Sequence, residues 1–162
     1  MILIDANLLL YAAIREYPQH ESAATWLEER MNGTQAVGLP WSSLLAFLRL
    51  AVNPRIHEFP PALADAWGLV REWLDCEPVF VPAPGPRHHE ILERLVLESC
   101  QQHRHIPDAH LAALAIEHGL ILATHDRGFA RFDGLRWELP LLTTDADFGN
   151  VARHHPLTVW SE

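Results

Sequence analysis

The chain has 162 residues, 49% of them hydrophobic, and a formal net charge of −9 from 12 basic and 21 acidic side chains. That length fits one folded domain with a sizeable core, and that composition excludes a disordered chain. The charge argues against nucleic-acid binding by bulk electrostatics, but leaves room for a phosphate held through cations.

In chain order, Ile2-Leu3-Ile4 reads as a short buried strand that stops on a carboxylate, Asp5. Residues 7–14 read as a helix, apolar almost all round. Pro18 suits the first turn of a second helix, which runs to Met31 and stops at Asn32-Gly33. Residues 36–39 form a candidate strand. A strongly apolar helix follows over 41–52, with Ser42 or Ser43 as its expected cap and Asn53-Pro54 as its stop. Further helices are predicted over 61–76, 85–102 and 107–118, the last stopped by Gly119. Strands are predicted at 79–81 and 120–124, with later candidates at 135–139 and 141–144. Cys76 and Cys100 fall inside two of the helices, lack C-x-x-C spacing, and read as packed thiols.

Continuously apolar strands alternating with helices predict an α/β fold: a central, mostly parallel sheet with helices on both faces. No linker or low-complexity stretch divides the chain, so one domain is expected. No apolar run approaches the roughly 20 residues that span a bilayer. The start lacks a basic n-region, so a cytoplasmic protein is expected.

In open parallel sheets, ligands bind beyond the carboxyl ends of the strands. Asp5 ends the first strand, and Asp126 lies just past 120–124 in T-x-D. Asp108 starts a helix whose next residues, AHLAALAI, are apolar enough to be largely buried. Each acid has an ordinary alternative: Asp5 and Asp126 as helix caps, Asp108 as a first-turn acid favoured by the helix dipole. Their combination points further. Gathered carboxylates repel unless a cation neutralises them. Hard oxygen donors suit Mg²⁺ or Mn²⁺, which activate water for phosphodiester hydrolysis.

The stretches MILIDANLLLYA, LPWSSLLAFLRLAVNPRI and IPDAHLAALAIEHGLILATHDRGFARFDGLRWELPL resemble the PIN domain, and more narrowly the VapC-type toxins of bacterial toxin–antitoxin pairs. The resemblance covers residues 1 to about 141 and rests on D-x-N, P-D-A-H-L-A-A-L-A and T-x-D-x-x-F in this order; its extent implies a PIN-like domain over 1–141 and a C-terminal extension of the same domain over 142–162. It implies a single PIN-like domain and a Mg²⁺- or Mn²⁺-dependent endoribonuclease acting on tRNA or another structured RNA. It also implies a cognate antitoxin and a homodimer. Asp5, Asp108 and Asp126 fall on the family's acidic metal positions, and Asn7 and Thr124 on supporting polar positions.

One departure stands out. Many PIN nucleases carry a glutamate in the helix after the second strand, where this chain has Phe47. Ser42, Ser43 and Arg49 are nearby polar groups, and Arg49 is expected in a salt bridge. A second T-x-D-x-x-F runs from Thr143 to Phe148; it reads either as a duplication, with Asp145 a decoy or a substitute ligand, or as an ordinary strand-to-helix turn, and Asp145 and Asp147 are second-tier candidates. Asp126 is preferred because its 18-residue spacing from Asp108 allows a helix, a tight turn and a strand. The 11 histidines include no H-E-x-x-H, and His125 beside Asp126 reads as a turn residue. Trp41 is a candidate stacking platform.

Two rival functions follow. Phe47 motivates a PIN-like protein-binding module without nuclease activity. A metal-dependent phosphatase on a similar sheet is the other. Every basic residue is Arg, so chemistry that needs a lysine is excluded: Schiff bases, Walker-type sites, receiver domains and haloacid-dehalogenase-type phosphatases.

Overall fold

Strand β1 (Ile2–Ile4) lies at the centre of a sheet, and its alternating side chains feed both layers of the core. The computed structural model describes residues 1–142. After β1 come α1 (Ala6–Ala13), α2 (His20–Met31), β2 (Val37–Gly38), α3 (Trp41–Ala51), α4 (Leu63–Leu74) and β3 (Val79–Phe80). Then follow α5 (His88–Ser99), α6 (Ile106–Glu117), β4 (Ile121–Ala123) and β5 (Trp137–Glu138), with short 3₁₀ turns at His103–His105 and Arg127–Arg131. The strand order is β3-β2-β1-β4-β5 and every pairing is parallel. The α/β class and the parallel sheet are as the sequence predicts.

Successive strand residues face opposite ways, and this sheet uses both faces. Ile2 and Ile4 join a cluster with Leu8, Leu9, Leu27, Phe47 and Trp73 from α1–α4. Leu3 and Leu122 join the other cluster, with Ile91, Leu95, Leu114, Phe129 and Phe132. Gly38 lets β2 lie close to β1: a Cβ there would meet Leu3 Cδ1 at 2.9 Å and Ile2 O at 3.3 Å, so Leu3 would have to shift.

Several local expectations change. The helix at 41 is not capped by Ser42 or Ser43: Pro40 takes the cap position, and both hydroxyl oxygens are buried without a partner. Pro18 lies ahead of α2 rather than in its first turn. Helices α4 and α5 end before the cysteines, which are free and half-buried at the helix ends. Arg49 is exposed and forms no ion pair among the described residues. Leu141 and Leu142 are not in a strand. The second T-x-D-x-x-F, with Asp145 and Asp147, lies outside the described residues.

Phe47 is fully buried and packs on Trp73 with ring centroids 4.8 Å apart. The position that carries an acid in many PIN nucleases is therefore a core position joining α3 to α4. Phe47→Ala is expected to lower stability by about 3–5 kcal/mol, as for other buried aromatics, read by urea denaturation.

Candidate active site

The chain steps outward from β1 to β2 and β3, then returns on the other flank of β1 as β4. The carboxyl ends of β1 and β4 thus meet where the strand order reverses, the place where open α/β sheets form a crevice. Backbone bonds fix this corner: Asp5 N donates to Ala123 O (3.1 Å), and Thr124 N to Glu138 O (3.1 Å).

Asp5 is the anchor of the site. One carboxylate oxygen accepts from Ala6 N (2.7 Å); the other accepts from Thr124 Oγ1 (2.7 Å) and Asn7 Nδ2 (2.8 Å). Thr124 is fully buried and also accepts from Asn7 Nδ2 (3.1 Å) and from Asp126 N (3.0 Å). Asn7 Oδ1 accepts from His125 N (3.2 Å). Asn7 and Thr124 therefore tie the D-x-N turn to the T-x-D turn, although 117 positions separate them. Burial pushes the Asp5 carboxyl above the ordinary carboxylate range, against the pull of the Thr124 and Ala6 hydrogen bonds.

Asp126 caps the 3₁₀ turn that follows it, with Oδ1 accepting from Gly128 N (2.6 Å). Asp108 sits in the first turn of α6, where the helix dipole favours a carboxylate. It is nonetheless pushed up to about 6, first by burial and then by the charges of Asp5 and Asp126, which outweigh the opposing pull of Arg131. The three acids thus share one electrostatic field. Asp5 and Asp126 are also caps, so the two readings of those residues describe the same hydrogen bonds.

Among the described residues no three His, Cys, Asp or Glu side chains already stand as a group able to hold a metal ion. Both oxygens of Asp5 and one of Asp126 are engaged in hydrogen bonds. The donor set still fits a hard divalent cation: it offers carboxylate oxygens, and burial, with like-charge repulsion added to it, raises Asp5 and Asp108.

Two residues at the site were not singled out from sequence. Tyr11 stands on α1 one turn after Asn7, its ring set edge-on to His125 at 5.7 Å. Burial, then Asp5 and Asp126, raise its phenol. Arg131 is the cation that acts on Asp108. Their signal was spacing: i+4 from Asn7 on a helix, and the end of the turn that Asp126 begins. Trp41, at the start of α3, stacks on Trp67 of α4 with centroids 6.4 Å apart. His88 is buried against His110, with ring nitrogens 3.0 Å apart.

Fold and site together define an α/β protein with an acidic crevice at the switch point of a parallel sheet. The model of the PIN domain family matches residues 2–135. The chain belongs to the PIN-domain family. It is 40% identical over 141 residues to Ribonuclease VapC33 of Mycobacterium tuberculosis, covering 87% of this chain and 99% of that protein. It is 36% identical over 140 residues to Ribonuclease VapC37 of the same organism, covering 86% and 97%. Among solved structures it is similar to VapBC2 from Rickettsia felis bound to a promoter DNA fragment, at TM-score 0.59 and 15% identity over 85% of this chain and 98% of that one. FitAB bound to a DNA fragment matches at TM-score 0.60 and 17% identity, covering 96% and 100%. At these identities the structural matches establish the fold.

The Asp108 shift has a sign that can be measured. Its folded value, about 6, lies above the ordinary 3.8, so the ionised form is the costly one in the metal-free fold. The penalty is absent below about pH 4, grows as pH rises, and is complete above about 6. Asp108→Asn removes it. At neutral pH this variant is expected to gain about 1–2 kcal/mol, discounted for the half-exposed site, and to lose that gain near pH 4. Denaturation in chelator at the two pH values checks this.

Proposed function

We propose that this protein is a VapC-type endoribonuclease toxin that hydrolyses RNA phosphodiester bonds at the Asp5–Asp108–Asp126 crevice and is neutralised by a cognate antitoxin. One observation carries the reading: Asp5, Asp108 and Asp126, from distant segments, act on one another at the switch point, where burial first and then the charges of the other two lift Asp108 to about 6. The ribonuclease names of relatives at 36% and 40% identity support it. The VapBC2 and FitAB neighbours support an antitoxin partner. A homodimer, and tRNA or another structured RNA as substrate, follow from the family resemblance. No helix among the described residues is long and apolar enough to cross a membrane, and we place the activity in the cytoplasm.

Asp5, Asp108 and Asp126 would hold Mg²⁺ or Mn²⁺, which supplies Lewis-acid activation of water and offsets charge on the phosphoryl group. The chain's own residues prepare this. Thr124, Asn7 and the Ala6 amide fix the orientation of Asp5 before any ligand arrives. The Gly128 amide does the same for Asp126. Asp108, with its value near 6, is ionised at neutral pH and available as a donor.

A non-cleaving binding module is the second reading. It is favoured by the lack of a ready-made metal group among the described residues and by the apolar Phe47. Incubation of total RNA with purified protein separates the two. Cleavage with Mg²⁺ or Mn²⁺ is expected, abolished by chelator and reduced about 10²–10³-fold in Asp5→Asn, the scale of other losses of transition-state charge stabilisation. Absence of cleavage by folded, antitoxin-free protein across varied RNAs would favour the binding module.

A further inference from the structure

The acidic crevice poses a problem for its own substrate. RNA is a polyanion, the chain is strongly acidic, and three carboxylates line the place where a phosphate must come. A cation fixed at the rim would offset that repulsion.

Arg131 is such a cation. It ends the 3₁₀ turn that Asp126 caps. Its Nε donates to Gly128 O (2.7 Å), while the amide of the same glycine donates to Asp126 Oδ1 (2.6 Å). One glycine therefore seats both a carboxylate and a guanidinium. They converge closely: a Cβ on Gly128 would lie 2.8 Å from Asp126 Oδ1 and 2.9 Å from Arg131 Nη2. A Cβ there would displace the ends of both side chains from these seats.

A guanidinium among acids ordinarily collapses into an ion pair. Arg131 does not: it forms no ion pair among the described residues, and Nε makes its one hydrogen bond there. Among the described residues the Nη groups have no hydrogen-bond partner, on an exposed side chain whose charge reaches Asp108, Cys100 and His105. A guanidinium anchored through Nε and open at both Nη atoms presents the planar fork that binds phosphate in bidentate fashion.

We propose that Arg131, seated by Gly128 beside Asp126, binds a backbone phosphate of the RNA at the edge of the carboxylate cluster. This rests on the ribonuclease reading. Arg131 is a substrate-binding residue, and Gly128 positions it.

The test uses the full chain, an RNA oligonucleotide that it cleaves, and three variants: Arg131→Gln, Arg131→Lys and Gly128→Ala. For Arg131→Gln, KM is expected to rise about tenfold while kcat falls by less, the mark of a lost charge-assisted contact made in ground and transition states alike. The slope of log affinity against log salt should shrink by about one phosphate contact. Arg131→Lys keeps the salt slope and recovers only part of the KM, because it retains the charge without the fork. Gly128→Ala disturbs both seats and lowers kcat as well. An Arg131→Gln enzyme with unchanged KM and salt slope would overturn the proposal, as would a loss confined to kcat, which marks a turn-holding role. If Arg131→Gln fails to fold, the same KM and salt readings on Arg131→Lys decide, and wild-type KM overturns the proposal. Wild-type protein that neither binds nor cuts RNA overturns the ribonuclease reading itself, and this one with it.

Discussion

A carboxylate buried at the end of the central strand is costly, and the surroundings of Asp5 are arranged to bear that cost. Three donors meet its two oxygens, and the hydroxyl among them belongs to Thr124, at the end of the neighbouring strand. The remaining repulsion is not removed. It is passed to Asp108, whose carboxyl is lifted to about 6 by burial and by its two acidic neighbours. On the proposed reading, a positive ligand would meet a site already ordered by the contacts that hold the turns together.

The sheet makes this possible. Because β1 is flanked by β2 on one side and β4 on the other, its carboxyl end lies at the reversal of strand order. Both of its faces are buried, with Ile2 and Ile4 on one layer and Leu3 on the other. A strand clamped on both faces gives Asp5 a fixed backbone, and the parallel register with β4 sets Thr124 opposite it. Core packing and site geometry are thus one arrangement, and Phe47 belongs to its core side, packed on Trp73 between α3 and α4.

Much of this was legible in the sequence. Apolar strands alternating with helices gave the parallel sheet, and strand ends pointed to Asp5 and Asp126. Asp108 was legible because a helix as apolar as α6 has to be buried, which carries its first turn inward. The rest depended on contacts that no local pattern encodes. Asn7 and Thr124 were legible as supporting polar positions only through the family resemblance, and the bond between them, spanning 117 positions, was not. Tyr11 was hidden inside an apolar run, and Arg131 looked like any surface arginine until its Nε was seen bound to Gly128 O. The Ser42 or Ser43 cap failed because the chain turns at Pro40 and buries both hydroxyls.

The central claim is that Asp5, Asp108 and Asp126 form one repulsive cluster that a divalent cation relieves. Titration of the Asp108 carboxyl by ¹³C NMR, without metal and with Mg²⁺, tests it most directly. A value near 6 without metal and a marked fall when Mg²⁺ is added are expected. An ordinary value near 3.8, unmoved by Mg²⁺, would contradict it.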